Sequence, residues 1–249
     1  MMEIKKINAF QEQYYEDIDK MASDWLLKRF EPTLRKFNGN GTIKVLDVGG
    51  GSGFFSMKIR EYFSENNCEI YVLDTTKYKT WNEFSEKVTF IEDSAENIEK
   101  TFEDNKFDIV FAKYVFHHFV KNTWKDSIKS MEYIIGQINK VLKNNGRLCI
   151  VDQFYNGYPL DSNASKMIYM FTTCKFPLFP KIFKRLGAQS AGVGVCFLSK
   201  KMWLKLLSNN GFGIETLEEP VPTKRKWYEH IGLLLKTWND GCMIIANKQ

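Results

Sequence analysis

The chain is poor in the residues that build extracellular scaffolds. Its 249 residues hold five Cys, at 68, 149, 174, 196 and 242, with no CxxC and no paired spacing. Such scattered thiols predict a reduced, cytoplasmic setting and no metal site. Six Pro and 16 Gly exclude collagen-like and low-complexity classes. No apolar run approaches the roughly 18 residues a membrane span needs. Met1 to Lys6 carry charges with no apolar stretch behind them, so no secretory leader is expected. What the chain does have is aromatic bulk: 20 Phe and 11 Tyr within 44% hydrophobic residues, enough for a large core.

The net charge of +5 is concentrated in one place. Residues 153–200 carry Lys166, Lys175, Lys181, Lys184, Arg185 and Lys200 against one acid, Asp161, while the remainder balances. The same stretch holds Phe154, Tyr155, Tyr158, Tyr169, Phe171, Phe176, Phe179, Phe183 and Phe197. A solvated basic face over packed aromatics would account for this without a ligand. A cover over an anionic, flat or greasy ligand is the functional alternative.

Helical spacing runs through 8–36, where Phe10, Tyr14, Ile18, Met21, Trp25 and Leu26 predict one apolar face with Tyr14 in it. Asn38-Gly39-Asn40-Gly41 breaks the chain. Strands are predicted at 43–48, 69–74, 88–91, 107–112, 147–152, 214–217 and 242–246. Helices are predicted after the first strand (Phe55, Ile59, Tyr62), before the fifth (Ile128 to Leu142) and around Met202, Leu206 and Leu207. This alternation predicts an α/β fold: a Rossmann-like, seven-stranded, mostly parallel sheet with helices on both faces. The expected organisation is a helical lid at 1–40, a cofactor-binding core at 41–152, an inserted substrate cap at 153–199 and completion of the core at 200–249.

Such sheets bind ligands beyond the carboxyl ends of their strands. The sharpest local feature lies there: Asp47-Val48-Gly49-Gly50-Gly51-Ser52-Gly53, between a strand and a helix. Bare backbone admits close approach, and the helix N-terminus offers unpaired N–H groups. Asp74 ends the next strand, where a carboxylate can accept both hydroxyls of a ribose. A dinucleotide fingerprint would read GxGxxG, whereas here the spacing is GxGxG and position 54 is Phe. Asp47 beside a diphosphate would be repelled; beside an ammonium and a sulfonium it would be favoured.

These residues resemble the class I S-adenosylmethionine-dependent methyltransferases. VLDVGGGSG at 45–53 is similar to their first motif, with Gly49, Gly51 and Gly53 on the cofactor. YVLD matches their ribose-binding acid at Asp74, with Thr75 beside it. FIEDSAEN matches the segment around the adenine, with Asp93 at the amino group and Ser94 and Ala95 beside the ring. FDIVFAKYVFHHF at 107–119 resembles the motif that closes the site near the methyl group, and this places Lys113 in the closing contact. LKNNGRLCIV at 142–151 resembles the family's turn and fifth strand, with Asn144 and Asn145 in place of Pro and Gly. The resemblance implies S-adenosyl-L-methionine as cofactor, S-adenosyl-L-homocysteine as product, and a last strand inserted antiparallel at 242–246. It also implies an N-terminal helix folding over the cofactor, which makes Tyr15 a lid contact.

The transfer is an in-line displacement in which the protein mainly aligns the reactants. A base is needed only when the acceptor must lose a proton. His117 and His118 follow the fourth strand, and adjacent helical side chains point about 100° apart, so one of them is expected to face the ligand. Asp152 stands at the end of the fifth strand. It either orients a substrate hydroxyl or amine or caps a turn. The aromatic, basic insert points to a small, apolar or aromatic acceptor as partner. Attack by oxygen, nitrogen or carbon stays open, peripheral membrane contact is compatible, and oligomeric state is unspecified. An RNA or other nucleic-acid methyltransferase would use the basic stretch for phosphates, but +5 is modest. A non-catalytic subunit of the same fold, or a nicotinamide-dependent reductase, fits Asp47 and Asp74 less well.

Overall fold

A computed structural model describes residues 9–39, 41–63, 67–174 and 194–249, except the side chains of 9–12 and 15. Lys175, Phe176, Phe179, Lys181, Phe183, Lys184 and Arg185 of the expected cap lie outside the described residues. Seven strands form one mixed sheet in the order β3-β2-β1-β4-β5-β7-β6, with helices on both sides. They are β1 (Ile43–Val48), β2 (Cys68–Asp74), β3 (Thr89–Glu92), β4 (Phe107–Lys113), β5 (Leu142–Gly157), β6 (Phe212–Glu218) and β7 (Leu235–Lys248). The last strand is thus inserted between β5 and β6, as the resemblance implies.

The chain divides into two compact units. The first comprises Met1–Lys113, Gln137–Cys149 and Asn247–Gln249. In it β1 pairs in parallel with β2 and β4, Val45 lying opposite Ile70 and Ile109. These strands are covered on both faces, and therefore read as continuous apolar runs. Helix α1 (Ala9–Leu34) supplies Leu26, Phe30 and Leu34 to the core, and α2 (Phe54–Tyr62) supplies Phe55 and Ile59; the short α3 (Thr80–Phe84) and α4 (Ile98–Thr101) follow in the same unit. Phe30, Phe55 and Phe111 meet edge to face at 4.9–5.9 Å. Each such contact adds about 0.5–1.5 kcal/mol beyond area burial.

One expectation for α1 is corrected. Tyr14 is 53% and Met21 78% exposed, and Ile18 and Trp25 also face solvent. The buried face runs instead through Ser23, Leu26, Phe30 and Leu34. The last three follow at steps of four, and Phe30 meets Phe55 and Phe111; the aromatic stripe lies off that arc.

The second unit comprises Tyr114–Gly136 and Ile150–Ala246. Its helices are the first part of α5 (Trp124–Val141), then α6 (Ser162–Thr173), α7 (Lys200–Asn209) and α8 (Trp227–Gly232). Tyr155, Ala164, Ile168, Val195, Phe197 and Leu235 form one buried cluster. Trp203 of α7 is fully buried, edge-on to Phe116. Ser199 caps α7 by accepting the Met202 N–H at 3.3 Å. Strand boundaries shift by one or two residues at β3 and β6 and by more at β5 and β7. β5 begins at Leu142 rather than 147, so Asn144, Asn145 and Gly146, expected as a turn, lie within the strand. β5 runs on to Gly157, five residues into the stretch expected as cap, because Phe154 and Tyr155 are buried and Phe154 bridges to Leu198. β7 begins at Leu235 rather than at 242.

Candidate functional site

The glycine loop follows β1 and leads into α2. Gly53 has φ +85°, and a Cβ there would lie 2.8 Å from the Phe90 ring. A Cβ at Gly50 would lie 2.7 Å from the Asp47 carboxylate. Both positions therefore exclude larger residues by contact with the protein itself. The segment after β2 clasps the loop from outside. Trp81 donates its indole N–H to the Gly51 carbonyl at 2.8 Å and stacks on Phe90 at 4.8 Å. Thr80 donates its hydroxyl to the Ser52 carbonyl at 2.8 Å.

Beneath the loop lies a buried ion pair. Lys113, at the end of β4, places Nζ 2.5 and 2.7 Å from the two Asp47 oxygens. Ser56 donates to the same carboxylate at 2.9 Å, and the ammonium sits 4.4 Å over the Phe55 ring. Asp47 is fully buried and Lys113 8% exposed. This changes the expected roles. The Asp47 carboxylate is neutralised from within rather than left for a ligand's charge, and Lys113 points inward rather than making a closing contact.

A third charge was not foreseen. Asp19 of α1 accepts the Ser52 hydroxyl at 2.7 Å and the Phe54 N–H at 3.1 Å, and so caps α2 from another helix. Burial raises its pKa; Lys113 and the two hydrogen bonds oppose that. The clue in the sequence is spacing: Asp19 shares the arc of Ser23, Leu26 and Phe30. Tyr15 stands on the same helix, and its side chain lies outside the described ones.

Asp74 ends β2 and is held by backbone. Gly51 N–H donates to one carboxylate oxygen and Thr76 N–H to the other, each at 3.0 Å. Burial raises its pKa against these bonds and one from the Thr75 N–H. Two donors fix the carboxylate plane and leave further lone pairs for a diol. Gly49 donates its N–H to the Leu73 carbonyl at 2.7 Å, tying the loop to the same strand end.

The third expected segment folds as a tight turn. Asp93 accepts Ser94 N–H at 2.7 Å, the Asn97 amide at 2.8 Å and the Thr101 hydroxyl at 3.3 Å. Burial alone would raise its pKa; these bonds, with Lys100, bring it below the usual carboxylate value. Asp93 therefore holds its own turn, while Ser94 caps it by accepting Glu96 N–H and Ala95 is buried.

The histidines belong to the second unit. His117 Nδ1 lies 2.8 Å from Asp152 Oδ1, which also accepts the Gln153 N–H. Asp152 is 2% exposed and sits within β5, not at its end. It therefore orients a histidine and does not cap a turn. Nδ1–H donation to Asp152 leaves Nε2 of His117 as the acceptor. His117 heads a stack of rings: Phe197 at 4.5 Å, then Tyr155 at 4.6 Å from Phe197, then Trp238 at 5.4 Å from Tyr155. The His118 ring lies 4.1 Å from that of His117, tilted by 45°. Desolvation and the neighbouring imidazole lower the pKa of His118, so it stays neutral at pH 7 and is a poor proton acceptor. Tyr114, which opens this segment, is held at φ +50° while its N–H donates to the Val151 carbonyl at 2.7 Å. Such a backbone costs about 1–3 kcal/mol and recurs at functional sites.

Comparison with known proteins agrees with this architecture. A methyltransferase domain family model matches residues 40–174. The uncharacterized methyltransferase YcgJ of Bacillus subtilis is 29% identical over 118 residues, 45% of this chain. That match spans 41% of the relative's length. A SAM-dependent methyltransferase of Methanosarcina mazei superimposes with a TM-score of 0.56 at 17% identity, covering 87% of this chain and 97% of its own. The 1,6-didemethyltoxoflavin-N1-methyltransferase of Burkholderia thailandensis, solved with its substrate and S-adenosylhomocysteine, gives 0.52 at 13% identity over 93% of this chain and 78% of its own. At these identities the structures speak for the fold alone. The family model, matching over half of the residues, goes further: the chain belongs to the methyltransferase domain family, with the class I fold.

Proposed function

We propose that the chain transfers a methyl group from S-adenosylmethionine to a small, apolar or aromatic acceptor. One observation carries the cofactor assignment. Three carboxylates, Asp19, Asp47 and Asp74, stand around the glycine loop with one buried ammonium, Lys113. That excess of negative charge suits a ligand bearing an ammonium and a sulfonium and opposes a diphosphate. In this reading Asp74 and Thr75 hold the ribose and Gly49 and Gly51 present backbone. Ser94 and Ala95 border the adenine. Asp47, Lys113 and Asp19 act indirectly by fixing the loop, and Gly53 by letting α2 start against Phe90.

When bound, the cofactor supplies an electrophilic methyl group and a neutral thioether leaving group. His117 accepts at Nε2 the proton that a hydroxyl or amine acceptor must lose, and Asp152 holds the ring and stabilises the imidazolium. Such a pair contributes roughly 10²–10⁴-fold. The test is transfer of labelled methyl from S-adenosylmethionine to a panel of phenols, aromatic amines and carbon acids. Turnover of a phenol that falls away in His117→Ala supports the reading. Transfer to RNA in preference to every small acceptor would replace it.

A further inference from the structure

We infer that the second unit carries a docking surface for an anionic lipid bilayer, centred on α8 and the start of β7. The observation is an apolar surface rimmed by lysines. Trp227 and Ile231 lie one helical turn apart on α8 and are 74% and 67% exposed. Leu234 follows them, and Tyr158, 69% exposed, joins from the end of β5, its N–H donating to the Leu234 carbonyl at 2.9 Å. Together Tyr158, Ile231, Leu234 and Lys236 border a shallow hollow. Exposed Lys224, Lys226 and Lys236 flank it.

The surface is built rather than frayed. Lys226 N–H donates to Glu229 at 3.0 Å, and His230 Nδ1 is 2.8 Å from the Leu235 carbonyl. Arg225 lies over the Trp238 ring and pairs with Glu229 at 3.4 Å. Glu229 is the one acid between Val221 and Lys236, and Arg225 engages it. Lys224, Lys226 and Lys236 are exposed, and within 221–236 four bases against this one arginine-paired acid leave a positive excess.

Charge selects the occupant. A second copy seated on this surface by a two-fold axis would set one lysine-rich rim against another, which is repulsive. A bilayer with anionic headgroups reverses that sign. Trp and Tyr favour the headgroup boundary, Ile and Leu enter below it, and lysine stems reach back to phosphate. Among the described residues no helix is long and apolar enough to cross a membrane, so the contact is peripheral. The inference is independent of the proposed chemistry, since neither cofactor nor turnover enters its test.

The test is co-sedimentation of the full chain with vesicles of phosphatidylcholine alone and of equal parts phosphatidylcholine and phosphatidylglycerol. Binding to the anionic vesicles that falls as salt rises is expected. A Lys224→Ala, Lys226→Ala, Lys236→Ala triple variant should bind about 100-fold more weakly. Trp227→Ser with Ile231→Ser should lose about 10-fold or more while keeping the circular dichroism and melting temperature of the parent. Equal binding to both vesicle types, or anionic binding unchanged in both variants, would overturn the inference. So would a concentration-dependent dimer that the Trp227→Ser, Ile231→Ser variant abolishes.

Discussion

The glycine loop of the first unit and the histidine cluster of the second handle charge in opposite ways. Around the loop, each carboxylate is tied down: Asp47 by Lys113 and Ser56, Asp19 by Ser52 and Phe54, Asp74 by two backbone N–H groups. These groups are fixed before a ligand arrives, which suits binding by a preset field. In the second unit a single carboxylate orients one imidazole, and the partner imidazole is held neutral. That arrangement suits moving one proton. The difference predicts that substitutions in the two regions separate ligand affinity from turnover.

The largest effect is expected at His117. His117→Ala should lower turnover of a phenolic acceptor by roughly 10²–10⁴-fold and leave cofactor affinity nearly unchanged. Stopped assays beside calorimetry would show this; equal losses in both would erase the distinction between the two regions. Next comes the buried pair. Lys113→Ala leaves Asp47 buried and unpaired and should cost about 3–5 kcal/mol in urea unfolding. Lys113→Met combined with Asp47→Leu should recover most of that loss, because no charge then stays unpaired. If the double variant is no better than the single one, the pair does more than neutralise itself.

The smallest effect is a slope. Asp19 and Asp74 have pKa values raised by burial, so each binds a proton more readily folded than unfolded. Their contribution is full below the unfolded value and is lost as pH rises through the folded one. Asp93 is shifted the other way: its contribution is present above the unfolded value and is lost as pH falls through the folded one. Asp19→Asn should therefore gain stability relative to the parent as pH rises from the acid range towards neutrality. Thermal melts across that range would show it, and a gap that is constant with pH would contradict the assignment.

Much of the fold was legible because its strands are apolar runs. β1, β2 and β4 lie within a residue of the expected bounds, since burial on both faces leaves nothing else to read. α1 was legible as a helix but not in its facing. Tyr14, Ile18, Met21 and Trp25 recur at helical spacing just as the Leu26–Phe30–Leu34 arc that the core selects does, so periodicity alone does not choose between the two faces. β7 was missed at its start because Lys236 to Asp240 reads as polar, although Leu235 and Asn239 are buried. In the site, local motifs announced Asp74 and the glycines. The Lys113–Asp47 pair and the reach of Asp19 to Ser52 join positions far apart in the chain, and no local spacing records them. The His117–Asp152 contact was half legible: both residues stood out, but only the folded chain brings them to 2.8 Å.

The most direct measurement is a calorimetric titration of the full chain with S-adenosylhomocysteine, repeated on Asp74→Asn. The account predicts one equivalent bound by the parent and an affinity about 5- to 150-fold lower in the variant, the loss expected for one hydrogen-bonded charge. Saturation by a nicotinamide dinucleotide in its place, or equal affinity in parent and variant, would contradict it.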